Sequence, residues 1–173
     1  MYRFIFLFLG CLVALFVIEM LRPVQQHVIL PFTGSLADVA AWVMRLWNPQ
    51  VFARLEQDPN LGWVNVIRPG GLAIVAGCNG VEAVLILLSA VIAFPAPWKH
   101  KLVGIGVGFV AIQGLNLVRL ISLYYLLLWN RVWFDWFHLY LWQALIILDA
   151  LVFWLIWLRW LPRPEPAPVA AAA

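Results

Sequence analysis

The sequence predicts an all-α fold, a multipass bundle of about four transmembrane helices with one external amphipathic helix. Of the 173 residues, 65% are hydrophobic and only 11% are charged, whereas soluble domains carry roughly 25% charged residues. The apolar residues also form runs of the length that a helix needs to cross a bilayer, about 20 residues. With a mean hydropathy of +0.95, the chain is expected to form one integral membrane domain over residues 1–161.

Four runs qualify as spans, and they cover residues 4–21, 71–94, 102–128 and 139–161. The first run follows Arg3 but lacks a small-residue cleavage site, so we expect an uncleaved anchor rather than a signal peptide. The Pro- and Ala-rich stretch 162–173 is expected to be a disordered tail. The formal net charge of +3 is too small and too dispersed to indicate nucleic-acid binding.

The orientation follows from the short loops, because Lys and Arg are retained on the cytoplasmic side of a membrane. Lys99 and Lys101 lie in the short loop between the second and third spans. We therefore expect an integral protein of the cytoplasmic (inner) membrane with both termini in the cytoplasm. Segment 22–70 is then external, and within it Ser35 is expected to cap an amphipathic helix over residues 36–47. Turn signals predict an irregular stretch after that helix.

Three reactive residues fall toward the outer end of different spans. Cys78 lies roughly 10 Å inside the second span, and Arg119 lies roughly 14 Å inside the third, at 1.5 Å per residue. Arg119 can extend outward by snorkelling, and His138 opens the fourth span. We expect these three side chains to converge in the outer half of the bilayer, toward the periplasmic face.

Each of these residues also has a structural interpretation. A membrane-embedded cysteine such as Cys78 is most often a packing residue, and an interfacial histidine is more often a headgroup contact than a catalyst. Arg119 differs, because a cation inside a span costs several kcal/mol and indicates function by default. Glu82 shares a helix face with Cys78, and Asn116 shares one with Arg119. Glu82 is expected either to pair with Arg119 or to hold its guanidinium toward the thiol.

Together these residue types support nucleophilic acyl transfer. A thiolate can attack a peptide carbonyl, a histidine can move protons, and a cation can stabilise the thiolate or the oxyanion. A nearby cation also lowers the pKa of a thiol that apolar surroundings would raise. No metal site or cofactor is predicted, because the two Cys and three His residues are too scattered to provide ligand spacing.

The ordered motifs resemble those of a known family. Cys78-Asn79-Gly80 at the start of one span, Asn116-x-x-Arg119 in the next and His138 at the head of the last resemble the exosortase/archaeosortase family over residues 69–160. The chain looks most like the compact exosortase H type. These proteins are multipass membrane cysteine transpeptidases, which implies that Cys78 is the nucleophile and that Arg119 and His138 complete the catalytic site.

The resemblance also implies the partners. The substrates would be exported proteins that end in a short motif, a transmembrane helix and a basic cluster, and they would be cleaved before the helix and transferred to an acceptor. The competing hypothesis is a non-enzymatic membrane bundle, an assembly or transport subunit with a structural Glu82/Arg119 pair. A thiol redox protein is disfavoured because the sequence contains no C-x-x-C pair.

Overall fold

The computed structural model describes residues 2–162, which form five helices and a small three-stranded sheet. The elements in chain order are α1 (Tyr2–Glu19), α2 (Arg22–Met44), β1 (Phe52–Asp58), β2 (Gly62–Arg68), β3 (Leu72–Ile74), α3 (Val81–Ala93), α4 (Trp98–Trp129) and α5 (Arg131–Trp160). The mostly helical architecture confirms the predicted fold class. The tail predicted at 162–173 lies outside the described residues except for Pro162.

Four helices, α1, α2, α4 and α5, are long and apolar enough to cross a membrane. Three of them coincide with predicted spans, but the second predicted span, 71–94, does not. Its helix α3 has only 13 residues, or about 20 Å, which is shorter than the roughly 30 Å of hydrocarbon. The fourth helix of sufficient length is instead α2, within the segment expected to be external.

The chain from 71 to 80 is not helical because its main-chain groups are used elsewhere. Residues 72–74 pair with β2 as the third strand of the sheet. After the strand, Gly77 and Gly80 adopt φ of +81° and +73°, a left-handed conformation that glycine reaches without steric cost. The helix therefore begins only at Val81, after the second of these glycines.

The prediction of an irregular stretch after residue 47 is wrong, because this segment folds into an antiparallel sheet with the strand order β1-β2-β3. The carboxylate of Asp58 accepts hydrogen bonds from the main-chain N–H groups of Asn60 and Leu61 at 2.8 and 3.0 Å, which fixes the β1–β2 turn. Arg68 forms an ion pair with Glu56 across the hairpin at 2.6 Å. The signal available in the sequence was the β-branched run of β2 beside this turn.

The helix predicted over residues 36–47 corresponds to the second half of α2. It differs from the prediction in the residue at which the helix begins and in the side chains that it buries. Ser35 does not cap it, since the helix begins at Arg22 and the Ser35 hydroxyl donates to the Pro31 carbonyl at 3.1 Å in mid-helix. Val39, which the helical spacing of apolar residues within 36–47 places on the apolar face, is 47% exposed. The buried residues of this half of α2 are Leu36, Ala37, Ala40, Ala41 and Met44. They pack in one hydrophobic cluster with Ile67, Leu72 and Ile74 of the sheet.

Two hydrophobic cores lie along α4, which has 32 residues and a length of about 48 Å. The first core joins the early part of α4 to α3 and α5, through residues such as Leu87, Ile112 and Ala150. The second joins its later part to α2 and the sheet, through Leu120, Leu123 and Tyr124. Cys78 belongs to the second core.

Gly104 and Gly108 of α4 allow the close helix contacts of the first core. A Cβ added at Gly104 would lie 2.6 Å from Cδ1 of the Trp157 indole, and one added at Gly108 would lie 2.7 Å from the Phe153 ring. The Trp157 side chain is buried and donates to the His100 carbonyl at 3.0 Å. Its position therefore depends on the absence of a side chain at Gly104.

We expect Gly104→Ala to destabilise the protein by about 1–3 kcal/mol, because the added methyl overpacks against a buried indole. The midpoint of thermal unfolding in detergent micelles measures this loss. Gly106→Ala is the matched control, since no atom lies within 4 Å of an added Cβ there, and the better helix propensity of alanine should leave it equally or slightly more stable. Equal midpoints for the two variants would contradict this packing account.

Candidate active site

A tight turn between β3 and α3 carries Cys78. Its main-chain N–H donates to the Val75 carbonyl at 2.9 Å, and the Asn79 side chain accepts a hydrogen bond from the N–H of Val81 at 3.1 Å. These two bonds hold the thiol at the start of α3, where it is only 6% exposed. The turn lies outside the helices that are long enough to span a membrane.

Arg119 reaches this turn from α4. Its side chain is almost fully buried, with 1% of the residue exposed. Nη1 donates to the Gly77 carbonyl at 3.0 Å, and Nη2 lies 3.8 Å from Sγ of Cys78. One guanidinium thus fixes the residue before the thiol and also presents positive charge to the sulfur.

Glu82 and Arg119 do not form the ion pair that the sequence suggested; within residues 2–162 the two salt bridges lie elsewhere. Instead, the Glu82 carboxylate accepts the main-chain N–H of Gly77 at 2.6 Å. Gly77 is therefore held from both sides, its N–H by a carboxylate and its carbonyl by a guanidinium. Glu82 and Arg119 therefore both stabilise the turn by hydrogen bonding to Gly77.

His138 approaches Cys78 from α5. Asn130 caps the start of this helix by accepting the N–H groups of Val132 and Trp133, and His138 lies in a π-helical turn, Phe137–Leu141. Its Nδ1 lies 4.0 Å from Sγ of Cys78, while its ring stacks on Phe134 with centroids 5.5 Å apart. The three residues predicted from different segments are thus in contact around one sulfur atom.

The remaining predicted residues support the turn in different ways. Asn79 donates to the Thr33 hydroxyl at 3.2 Å, which ties the turn to α2. Asn116 directs its amide nitrogen to the amide oxygen of Gln113, at 3.5 Å, and not to Arg119. The side-chain amides of Asn116 and Gln113 both pack against Gly80. Thr33 was not predicted, because nothing in its local sequence distinguishes it from other helical threonines.

The charges around the sulfur have opposing effects. Burial raises the pKa of the Cys78 thiol above its ordinary value, Arg119 opposes this shift, and the negative charge of Glu82 adds to it. The buried atoms Arg119 Nε and Glu82 Oε2 have no hydrogen-bond partner within residues 2–162. In the same range, no three His, Cys, Asp or Glu side chains are grouped to hold a metal ion.

We expect Glu82→Gln to shift the alkylation of Cys78 by iodoacetamide to lower pH. The glutamine oxygen can still accept the Gly77 N–H, but the negative charge that raises the pKa of the thiol is lost. The measurement is the pH dependence of alkylation in a Cys11→Ser background, which removes the other free cysteine. Glu56→Gln, on the sheet, is the charge-matched control and should not move the midpoint. An unchanged or higher midpoint for Glu82→Gln would refute this electrostatic account.

Comparison with known families identifies the family of this chain. The family model for transmembrane exosortases (Exosortase_EpsH) matches residues 1–148, most of the 173-residue chain. The chain belongs to the transmembrane exosortase family. Neither a curated protein nor a solved structure matches it significantly. The family suggested by the three motifs is confirmed, and with the apolar helices it makes this exosortase an integral membrane protein. Membership indicates a peptidase or transpeptidase.

Proposed function

We propose that this exosortase is a membrane cysteine protease-transpeptidase. It cleaves the C-terminal signals of exported proteins and transfers the cleaved protein to an acceptor. The observation that carries the proposal is the environment of one sulfur atom, with Arg119 Nη2 at 3.8 Å and His138 Nδ1 at 4.0 Å. A nucleophile beside a base and a cation is the arrangement that acyl transfer requires.

The proposed reaction has two steps. His138 first takes the proton of the Cys78 thiol. The thiolate attacks the scissile carbonyl, the C–N bond breaks, and His138 gives that proton to the departing amine, which leaves a thioester on Cys78. An acceptor amine or hydroxyl, or water, then attacks the thioester and loses its proton to His138. The C–S bond breaks, and His138 returns that proton to the departing sulfur, which restores the thiol. Arg119 stabilises the thiolate before the attack and negative charge near the sulfur during it. Contacts in a free enzyme are often longer than in the substrate complex, and the 4.0 Å separation is compatible with this.

The length of α4 supports a site at the outer face. Lys101 lies at the start of this helix and Arg119 lies 18 residues later, a separation of about 27 Å. If the lysine-bearing loop is at the cytoplasmic interface, Arg119 and Cys78 lie at the opposite interface of a hydrocarbon core roughly 30 Å thick. In this arrangement α3 returns the chain from the site to the lysine-bearing loop, α2 stays on the outer side without crossing, and both termini are cytoplasmic. The site is closer to the outer surface than the depths expected from sequence, because Cys78 precedes its helix.

Such a site suits the proposed substrates. A protein anchored by a C-terminal transmembrane helix, with its basic end retained in the cytoplasm, presents the residues just before the helix at the outer interface. Cys78 would meet the scissile bond there without extracting the helix from the bilayer. The partners proposed are therefore exported proteins that end in a short motif, a membrane helix and a basic cluster.

Trapping the thioester tests this proposal. The full-length protein in detergent is incubated with an exported protein that carries such a C-terminus, with and without hydroxylamine. We expect hydroxylamine to release the cleaved protein with a C-terminal hydroxamate, which mass spectrometry detects. Cleavage that yields no hydroxamate and no covalent adduct of Cys78 would exclude the thioester, and no cleavage of any protein of this class would exclude the function.

A further inference from the structure

The sheet has a gap in its third strand. β2 comprises seven residues, all paired with β1, but it pairs with β3 only at residues 65–67. Beyond Ile74 the chain turns away toward Cys78 instead of continuing along β2. The edge of Gly62–Val64 that faces away from β1 is therefore not covered by β3.

The main-chain groups of Trp63 point into this gap. On the β3 side of β2, the Ile67 carbonyl accepts the N–H of Gly71 at 2.9 Å. In an antiparallel strand, residues two apart direct their N–H and C=O groups to the same side, so Asn65 and Trp63 share this direction. Asn65 is opposite Ile74, whereas Trp63 has no strand partner on this side within residues 2–162.

A groove of about 520 Å³ occupies the gap, a volume typical of ligand sites. The N-terminal half of α2 forms one wall, and residues 61–64 and 74–76 form the other. Its lining includes Thr33 and Asn79, which are hydrogen bonded to each other. Because Asn79 directly follows Cys78, one end of the groove reaches the turn that carries the thiol.

We propose that this groove binds an extended peptide segment that adds a strand to the free edge of β2. The inference rests on the proposed function, under which the segment is the short motif beside the scissile bond. Strand addition to an exposed edge is a common mode of peptide recognition, in which main-chain hydrogen bonds provide affinity. Three edge residues extend over about 10 Å, so the edge fits a motif of about three or four residues.

The lining indicates which peptides fit. The side chains of the groove are apolar or neutral, and its polar ones are Gln25, Gln26, Thr33 and Asn79. Binding should therefore depend on main-chain pairing and on amide hydrogen bonds rather than on charge. Gln26 is exposed at the rim of the groove, where it can contact a side chain of the bound segment.

The decisive variant is Trp63→Pro, which removes the N–H that faces the gap. Proline is tolerated in a strand where its missing N–H faces an unpaired edge. With purified full-length protein and a fusion carrying the C-terminal signal, we expect KM to rise about tenfold, as for the loss of one or two hydrogen bonds, with kcat changed less than about twofold. Trp63→Ala removes the same side chain but keeps the N–H, so it measures the contribution of the side chain alone, and the KM of Trp63→Pro should exceed its KM by about tenfold. Equal KM values for the two variants would overturn the inference.

Disulfide crosslinking tests the same groove without the proline. In a background of Cys11→Ser and Cys78→Ser, Gln26→Cys should crosslink to single cysteines scanned through the signal motif, whereas Gln57→Cys on the far strand β1 should not. Equal crosslinking at both positions would overturn the inference. If wild-type processing is Cys78-dependent and only these tests fail, the groove assignment is wrong. If no wild-type processing occurs, the proposed function itself fails.

Discussion

Replacing Cys78 with alanine is expected to reduce processing of a co-expressed signal-bearing protein by at least about a thousandfold. Without its nucleophile the enzyme cannot form the covalent intermediate. The remaining rate is then only that which substrate binding and polar stabilisation of the transition state provide. Cys78→Ser should also be inactive, because the site contains a cation suited to a thiolate and a hydroxyl ionises far less readily. The measurement is the ratio of cleaved to uncleaved substrate in membranes, by immunoblot.

Cys11→Ala is the matched control for this experiment. Cys11 is a free cysteine of α1 and takes no part in the site, so its replacement should leave processing unchanged. The Cys78 variants must still insert and retain the thermal midpoint of the wild type within a few degrees. A well-folded Cys78→Ala protein that processes its substrate normally would refute the cysteine mechanism and favour a non-enzymatic bundle.

Replacing Arg119 with glutamine should reduce processing by about 10²–10³-fold, the usual effect of removing a preorganised donor from an active site. The same change should shift alkylation of Cys78 to higher pH, because the Arg119 charge opposes the rise in the pKa of the thiol. This shift is opposite in sign to that of Glu82→Gln. We also expect a loss of stability of about 1–3 kcal/mol, since the Gly77 carbonyl loses a charged donor.

Arg159→Gln provides the control, because Arg159 is exposed in the last turn of α5, 21 residues beyond His138 and about 32 Å along the helix from it. It should alter neither the pH dependence nor the rate. The non-enzymatic hypothesis makes a different prediction for Arg119, namely lower protein abundance with unchanged thiol chemistry, since its role would be structural. An Arg119→Gln protein whose thiol titrates as in the wild type would support that hypothesis.

Several elements of the fold were predictable because their causes are local. The apolar runs that form α1, α4 and α5 exclude a soluble fold without reference to any contact. The four-residue spacing of Gly104 and Gly108 is likewise typical of a narrow helix face, and side chains of α3 and α5 pack there. The boundary of α3 was not predictable in this way, because Leu72, Ala73 and Ile74 suit an apolar helix as well as a strand until β2 is present to pair with them.

For the candidate site, too, some features were predictable from the sequence and others were not. Arg119 was identified from residue type, since a cation inside an apolar span is costly wherever it lies. Cys78 and His138 were identified chiefly from the resemblance of their motifs to those of the exosortase family. Arg119 is 41 positions from Cys78 in the sequence, and His138 is 60 positions from it. The sequence therefore predicted that the three side chains lie close together, but not the distances between their atoms. For Glu82 the direct pair with Arg119, one of the two predicted alternatives, is not formed. Its carboxylate accepts a main-chain N–H instead, a partner that the sequence pattern does not reveal.

By itself, the sequence determined a membrane-embedded helical protein, its family and the three residues at the centre of the candidate site. The membrane helical class follows from composition, and the family follows from the resemblance of the ordered motifs. The three residues follow from residue chemistry together with that resemblance. Only the tertiary structure decided that the thiol lies on a turn before α3, that Gly77 links the carboxylate to the guanidinium, and that β2 leaves an open edge beside Asn79. These features depend on contacts between segments, such as the pairing of β2 with β3 and the hydrogen bond from Arg119 to the Gly77 carbonyl. Such contacts form only when packing brings the segments together.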